Sequence, residues 1–291
     1  MRRLRLAAIP ALVLLTVGLN SAGALADASP RGYDSIPQPL PGNLPSWGFE
    51  ATSTNEFGNQ ITFGGPAEVD HFSSVVVTMS SWGCENGRWY TFNCSTTPGS
   101  TFTEPITLNL YNPPAPASDL PGTLITSVTQ TFSIPFRPSA DNVNCTGANL
   151  GKWFDQGSKT CFNGLANNVT FDLGGKVKLP ESIVFGIAYN TSTSGYSPYG
   201  VTTSCFLSPG GCGYDSLNVA LSTDPTDLRA GSDPNTGTVF QFNHNPGFYC
   251  DLGAHGVDVF RLDSPGPGGG CWSQGAPNTL PAYIPSVRFK G

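Results

Sequence analysis

The chain has 291 residues and a net charge of −6, with 12% charged and 11% aromatic residues. This composition excludes a coiled coil and a disordered acidic tail, because both need more charge and fewer aromatic side chains. The acidic balance also excludes a basic nucleic-acid-binding protein, which needs a cationic face to meet phosphates. The 35 glycines and 26 prolines predict many turns between short elements.

The first 26 residues have the layout of a bacterial secretory signal peptide. Three arginines stand within the first five residues, residues 6–19 are mainly apolar, and Ala24-Leu25-Ala26 offers small residues at the two cleavage subsites. The apolar run is too short for a comfortable membrane span. We therefore predict a secreted, extracellular protein whose mature chain, without the three arginines, has a net charge of −9 and no transmembrane anchor.

Residues 27–46 are rich in proline and glycine and are predicted to be an extended lead-in to one domain over residues 47–291. Short apolar runs separated by turn residues follow, and Gly174-Gly175 is predicted to be a turn. Strands are predicted at 60–63, 73–79, 106–111, 124–136, 169–173, 182–189, 217–221, 238–242, 257–261 and 284–289.

The clearest strand pattern lies at residues 106–111. Ile106, Leu108 and Leu110 alternate with polar or amphipathic residues, which is typical of a strand with one buried face. No segment shows a sustained helical period with caps. Many short strands and many turns predict an all-β fold, a single-domain β-sandwich of the jelly-roll or immunoglobulin-like type with loops joined by disulfides.

Eight cysteines lie in the part of the chain that is predicted to be exported. An even number of cysteines in an oxidising compartment predicts disulfides, and the spacing needed for a zinc site is absent. Short loops close at the lowest entropic cost, so sequential pairing is favoured. The predicted pairs are Cys84 with Cys94, Cys145 with Cys161, Cys205 with Cys212, and Cys250 with Cys271.

Acidic residues could serve a glycan hydrolase, which needs two carboxyl groups across a cleft, one protonated and one ionised. No two of them form a paired signature on one strand face, and solvated or turn-capping roles are the simpler interpretation. The candidates are Glu50, Glu56, Glu85, Glu104, Asp155, Asp215, Asp258 and Asp263. A secreted hydrolase therefore remains an alternative function.

Two oxygen-rich loops are candidate calcium sites, at Asp224 with Asp227 and at Asp233 with Asn235. Secreted β-sandwich proteins can bind Ca²⁺ through carboxylates, amide oxygens and backbone carbonyls in such loops. The alternative is ordinary Asx-turn hydrogen bonding, which the same residues also explain. Calcium is thus a possible cofactor, and no other cofactor is predicted.

Aromatic residues supply the favoured binding hypothesis. They lie around the first cysteine pair and beside a polar, glycine-rich stretch, where exposed rings could stack on sugars while polar groups bind hydroxyls. The alternative is that the same rings cap the core or pack on disulfides. The candidate ligand-binding residues are Trp82, Trp89, Tyr90, Tyr189, Tyr196 and Tyr199.

Several stretches resemble a group of exported proteins common in actinobacteria. They are 33–43 (YDSIPQPLPGN), 49–58 (FEATSTNEFG), 75–84 (VVVTMSSWGC), 132–141 (FSIPFRPSAD), 183–191 (IVFGIAYNT) and 214–221 (YDSLNVAL). The resemblance implies a β-sandwich architecture, and it carries over no catalytic residue because no activity is assigned to the group. We therefore expect a non-catalytic extracellular or envelope-associated protein that binds polysaccharide or cell wall, with a structural surface or matrix protein as a further alternative.

Overall fold

The structure is a computed structural model that describes residues 32–52, 54–65, 71–189, 217–264, 272 and 283–291. In chain order its elements are β1 (Gly32–Asp34), β2 (Ser46–Gly48), α1 (Phe49–Thr52), β3 (Thr54–Thr62), β4 (His71–Ser81), β5 (Thr101–Tyr111), β6 (Leu124–Pro135), β7 (Trp153–Asp155), β8 (Thr160–Phe162), β9 (Leu165–Lys178), β10 (Ser182–Ala188), β11 (Leu217–Ser222), β12 (Val239–Asn243), β13 (Arg261–Asp263), β14 (Ile284–Pro285) and β15 (Val287–Lys290), with short 3-10 helices at Trp89–Thr91, Gly147–Asn149, Pro225–Asp227 and Pro246–Phe248. The predicted all-β class is confirmed. The predicted signal peptide lies outside the described residues.

The first sheet is built around β4. Strand β9 pairs with β4 along one side, whereas the other side is shared by β15 at residues 74–77 and β11 at residues 79–81. Strand β1 extends the sheet beyond β15, and β2 and β14 extend it beyond β11. All of these pairings are antiparallel.

The second sheet has the order β13-β12-β3-β10-β5-β6 and is also antiparallel. It packs face to face on the first sheet. The ring centroids of Phe185 on β10 and Phe289 on β15 are 5.9 Å apart, and those of Phe132 on β6 and Phe171 on β9 are 4.9 Å apart. The molecule is therefore a sandwich of two sheets with an aromatic and aliphatic core between them.

The strand pattern predicted at residues 106–111 is confirmed within β5. Ile106, Leu108 and Leu110 are fully buried in the core, while Asn109 and Tyr111 lie on the outward face of the second sheet. A strand places successive side chains on opposite faces, so the alternation in the sequence decides which face meets the first sheet.

Part of the predicted lead-in joins the edge of the first sheet, because β1 pairs with β15 and Tyr33 is 1% exposed. Two sequence predictions need correction. The Gly174-Gly175 turn is wrong, since both glycines lie within β9 at φ 67° and 63°. The strand predicted at 257–261 is instead mostly a loop, and β13 begins at Arg261. Strand pairing between distant segments decides both, and the local sequence does not specify that pairing.

Two of the predicted disulfides are confirmed, Cys84–Cys94 and Cys145–Cys161. Together with the hairpin β7–β8 they build a lobe over residues 82–100 and 136–164, which we call the disulfide lobe. Cys250 is also disulfide-bonded. The cysteines at 205, 212 and 271 lie outside the described residues, so the other two predicted pairs remain predictions. Within the described ranges, no helix has the length and apolar character needed to cross a membrane.

Candidate functional site

Trp82 and Trp89 meet as predicted around the first disulfide, but their rings are perpendicular. Their centroids are 4.9 Å apart with an interplanar angle of 87°, and both side chains are half-buried. The indole N–H of Trp82 donates to the Ser80 hydroxyl at 2.9 Å, and the Trp82 ring packs where a side chain at Gly164 would lie. The two rings therefore cannot form one flat surface for a sugar. The side chain of Tyr90 lies outside the described part.

Tyr189 is a core residue rather than an exposed ring. It is 7% exposed, its ring stacks on Phe49 with centroids 4.1 Å apart, and its hydroxyl donates to the Leu217 carbonyl at 2.7 Å. The structure thus corrects the prediction of an exposed ligand-binding ring at this position, because packing between α1 and β11 covers it. Tyr196 and Tyr199 lie outside the described residues.

The disulfide lobe contains a pocket of about 670 Å³. This volume is within the range of about 300–1,000 Å³ that is usual for small-molecule sites. Its lining combines aromatic and polar residues. The aromatic lining residues are Phe136, Trp153 and Phe154, and the main polar ones, which we call the polar wall, are Ser139, Asp141 and Asn142.

Hydrogen bonds fix the polar wall of the pocket. The Asp141 carboxylate accepts from the side chain of Asn144 at 2.7 Å and from its backbone N–H at 2.9 Å. These bonds, together with one from the backbone N–H of Val143, hold the pKa of Asp141 below its usual range. The Asn142 amide accepts from the N–H of Gly151 at 2.8 Å and donates to the Phe92 carbonyl at 3.2 Å. Asp141 is therefore a fixed anion at neutral pH.

Phe92 is an exposed ring held beside this wall. Its side chain is 48% exposed and its φ is 63°, a left-handed conformation that is costly for a bulky residue. It packs on Gly151, where a Cβ atom would lie 2.2 Å from Phe92 Cδ1. Val143, which lines the pocket, is 87% exposed. Two apolar side chains are thus kept in solvent next to the pocket.

Arg137 stabilises the disulfide lobe from its interior. It is fully buried, its guanidinium Nη2 donates to the Gly151 carbonyl at 2.7 Å, and its Nε donates to the Pro138 carbonyl at 3.3 Å. Burial lowers the pKa of Arg137 to about 10, so the side chain remains a cation at neutral pH. Its bonds tie the segment that follows β6 to the loop that carries Gly151.

The first predicted calcium loop uses its oxygens internally. Asp224 Oδ1 accepts from the backbone N–H and the hydroxyl of Thr226 at 2.8 and 2.7 Å. Asp227 accepts from the Ser222 hydroxyl at 2.6 Å. These contacts begin a 3-10 helix. They match the Asx-turn alternative that the sequence left open.

The second predicted calcium loop is also satisfied by its neighbours. Asp233 accepts from the N–H of Asn235 at 2.9 Å and from the Asn59 amide at 3.1 Å. The Asn235 amide donates to Gln60 Oε1 at 2.7 Å. Burial raises the pKa of Asp233. Across the described ranges, no three His, Cys, Asp or Glu side chains form a group that could hold a metal ion.

The described candidate catalytic carboxylates have separate hydrogen-bond partners. Glu104 is buried on β5, the side chain of Glu50 is not described, and Asp215 lies outside the described residues. In the part of the chain that the structure describes, no hydrogen bond joins two of the others. Their partners are Asn109 and Tyr111 for Glu56, Thr97 for Glu85, Ser158 for Asp155, His244 for Asp258, and Gln241, Trp272 and the Cys250 amide for Asp263.

A smaller pocket of about 370 Å³ lies near Asp263. This carboxylate is fully buried and accepts from the indole of Trp272 at 2.7 Å, from Gln241 at 2.8 Å and from the Cys250 N–H at 2.8 Å. Burial is the main cause that raises the pKa of Asp263. Three donors around one enclosed carboxylate indicate a structural link between β12, β13 and the Cys250 loop. The pocket is lined by Trp47, Gly247, Phe248, Tyr249, Cys250, Leu252 and Trp272.

Comparisons with protein families, with curated proteins and with solved structures found no match to this chain. The resemblance to exported actinobacterial proteins therefore remains a prediction. The chemistry of the pocket has to be inferred from its own residues.

Sequence reasoning missed the residues that line the larger pocket. Trp153 and Phe154 lie between Cys145 and Cys161, just as Trp89 lies between Cys84 and Cys94, so a comparable signal is present in the sequence. Phe136 had no comparable signal, because only the fold brings it to the pocket wall.

Proposed function

We propose that this protein is exported and binds polysaccharide in the pocket of the disulfide lobe. The observation that carries the proposal is the pocket itself, whose lining combines aromatic residues with a fixed carboxylate and a fixed amide. A sugar ring has an apolar face that packs on aromatic side chains and hydroxyls that bind carboxylates and amides. The exposed Phe92 and Val143 would extend the contact beyond one sugar unit.

Export is supported by two independent features. The N-terminal segment has the positive start, apolar run and small-residue cleavage site of a secretory signal. The two described disulfides and the bonded Cys250 suit an oxidising compartment, since such bonds rarely persist in a reducing cytosol. An extracellular location would place the pocket where polysaccharide and cell wall are found.

The first experiment measures retention of the purified oxidised protein on a panel of polysaccharides and bacterial cell walls, with calcium and with EDTA. Sugars released into the same wells are assayed in parallel. Retention without release of sugars supports the binding function. Loss of retention in EDTA would show that binding requires calcium. Release of sugars would replace the proposal with the hydrolase alternative, and the absence of both would contradict it.

The pocket variant is Phe154→Ala, which removes a half-buried aromatic ring from the lining of the pocket. We expect retention to weaken about tenfold, equivalent to about 1.4 kcal/mol of binding free energy. The matched control is Leu120→Ala, which truncates a large side chain that is 49% exposed elsewhere on the surface. Equal retention by both variants, with unchanged melting temperatures, would show that the pocket is not the binding site.

A further inference from the structure

The outward face of the second sheet carries a carboxyl group in an ordered polar setting, away from the disulfide lobe. Glu56 on β3 lies opposite Ala188 on β10 and Phe242 on β12. The register between β3 and β12 shifts next to it, because Asn243 pairs with Thr54 and leaves Asn55 as the extra residue. Such β-bulges re-aim side chains and are common beside functional sites.

One oxygen of Glu56 is held firmly. Glu56 Oε1 accepts from the Asn109 amide at 2.9 Å and from the Tyr111 hydroxyl at 3.0 Å. Ser127 donates to the Asn109 carbonyl oxygen at 2.7 Å, which fixes the amide so that its NH₂ group points to Glu56. At Gly186 a Cβ atom would lie 2.0 Å from Oε1, so a side chain at this position of β10 would displace the carboxyl from its place.

The other oxygen of Glu56 is open. Among the described residues no hydrogen bond reaches Oε2, and this atom is not one of the fully enclosed side-chain atoms that lack a partner, so it keeps some contact with solvent. No ion pair to Glu56 is found in the same part of the chain. The carboxyl is half-buried, yet no cationic side chain of the described residues forms an ion pair with it.

Within the described part of the chain, the groups next to Glu56 do not compensate its charge. Strand β10 contributes an alanine and a glycine, β12 contributes Phe242, and Tyr111 on β5 is the nearest group that titrates. Beyond β12, His244 is paired with Asp258 and also contacts the Asn55 amide at 2.8 Å. Burial is the main cause that raises the pKa of Glu56, and the hydrogen bonds from Asn109 and Tyr111 offset it only in part.

A ligand with a positive charge would supply what this site lacks. An ammonium group placed at Oε2 gains a charge-assisted hydrogen bond and relieves the cost of a partly buried, unpaired anion. The whole chain has a net charge of −6, so its field attracts cations to the surface. Hydroxyl groups for further contacts lie on the adjoining strands at Thr107, Ser127 and Thr129, which are half-buried or exposed.

We propose that this face is a second binding site, which takes an amino sugar unit with a free, protonated amine. The amine would donate to Glu56 Oε2, while the sugar hydroxyls would meet the polar side chains of β5 and β6. The site is separate from the pocket of the disulfide lobe, and it differs in the charge of the ligand it selects.

The test compares a glucosamine tetramer with the matched N-acetylglucosamine tetramer, in which the amine is blocked. We expect the wild-type protein to bind the free amine at least tenfold more tightly. Glu56→Gln removes the charge and keeps an oxygen that accepts from Asn109 and Tyr111, so this preference should disappear. The matched control Glu181→Gln neutralises an exposed carboxylate elsewhere, and this variant should keep the preference for the free amine. A preference that survives in Glu56→Gln, or none in the wild type, would overturn the proposal.

A measurement on the unmodified protein covers the case in which the variant fails to fold. The carboxyl carbon of Glu56 is followed by NMR across pH with and without the glucosamine tetramer. Because the amine stabilises the ionised form, the pKa of Glu56 should fall when the tetramer is present, and binding should weaken as pH falls through that pKa. An unmoved pKa would contradict the site. Phe154→Ala should leave this shift intact, which separates the outcome from that of the lobe pocket.

Discussion

The sandwich and the disulfide lobe are stabilised by different means. Between the sheets, side chains such as Leu108 and Phe185 are at most 1% exposed and fill a continuous core. In the lobe, two disulfides and hydrogen bonds to Arg137, Asp141 and Asn142 hold the chain, while Phe92 and Val143 remain in solvent. Covalent and polar links therefore free aromatic and aliphatic side chains from the core, so that they can serve as a binding surface.

The two regions are stabilised differently because the disulfide lobe is much smaller than the sandwich. A segment as short as the lobe cannot bury enough apolar surface to order itself, and disulfides lower the entropy of its unfolded chain instead. The sheets have many long strands and do not need such links. Variants in the two regions should accordingly fail in different ways.

The largest effect is expected in the sandwich. Leu108→Ala removes a fully buried side chain between β10 and β6, and should lower the free energy of unfolding by about 2–5 kcal/mol. Chemical denaturation followed by tryptophan fluorescence measures this. Thr129→Ala, on the exposed face of β6, should stay within about 0.5 kcal/mol of the wild type. Similar losses in both would contradict the assigned faces.

Removal of the longer bridge should affect the lobe first. The bond Cys145–Cys161 closes a loop with a sequence separation of 16, and its replacement by two serines should cost about 3 kcal/mol. Hydrogen exchange is expected to show loss of protection in the β7–β8 hairpin while β4 and β9 keep theirs under native conditions. Ser158→Ala, in the same loop with the bridge intact, should cost about 1 kcal/mol. Lobe amides that stay fully protected without the bridge would refute this division.

The smallest effect, and the one that depends on pH, concerns Asp263 where the sandwich meets the Cys250 loop. Asp263→Asn replaces an acceptor that meets three donors and should cost about 1–3 kcal/mol. Because burial raises the pKa of Asp263, the unfolded chain ionises at lower pH than the folded one. The stability that the protonated carboxyl contributes is complete below the unfolded pKa and declines as pH rises through the folded pKa.

The difference between wild type and Asp263→Asn should therefore narrow from pH 4 towards pH 7. Denaturant midpoints measured across this range test it. A difference that grows with pH would mean that the ionised carboxylate, rather than the neutral acid, is the form that the fold favours.

The alternation of apolar residues in a strand and the spacing of paired cysteines can be read in the sequence, because both depend on residues close together in the chain. The buried face of β5 follows from Ile106, Leu108 and Leu110, and the bond between Cys84 and Cys94 follows from a separation of 10. The turn predicted at Gly174-Gly175 is wrong because a local pattern cannot show pairing with a distant strand. Both glycines are left-handed and lie inside β9, which pairs with β4.

The sequence by itself determined the all-β class, the buried face of the clearest strand and two of the disulfides, because each depends on residue type and short-range spacing. Only the tertiary structure decided that Tyr189 belongs to the core, that Phe136 meets Phe154 at a pocket, and that Asn109 and Tyr111 meet Glu56. Each of these contacts joins residues far apart in the chain. Whether a ring is buried or a carboxyl is paired depends on which strands pack together, and no local pattern specifies that packing.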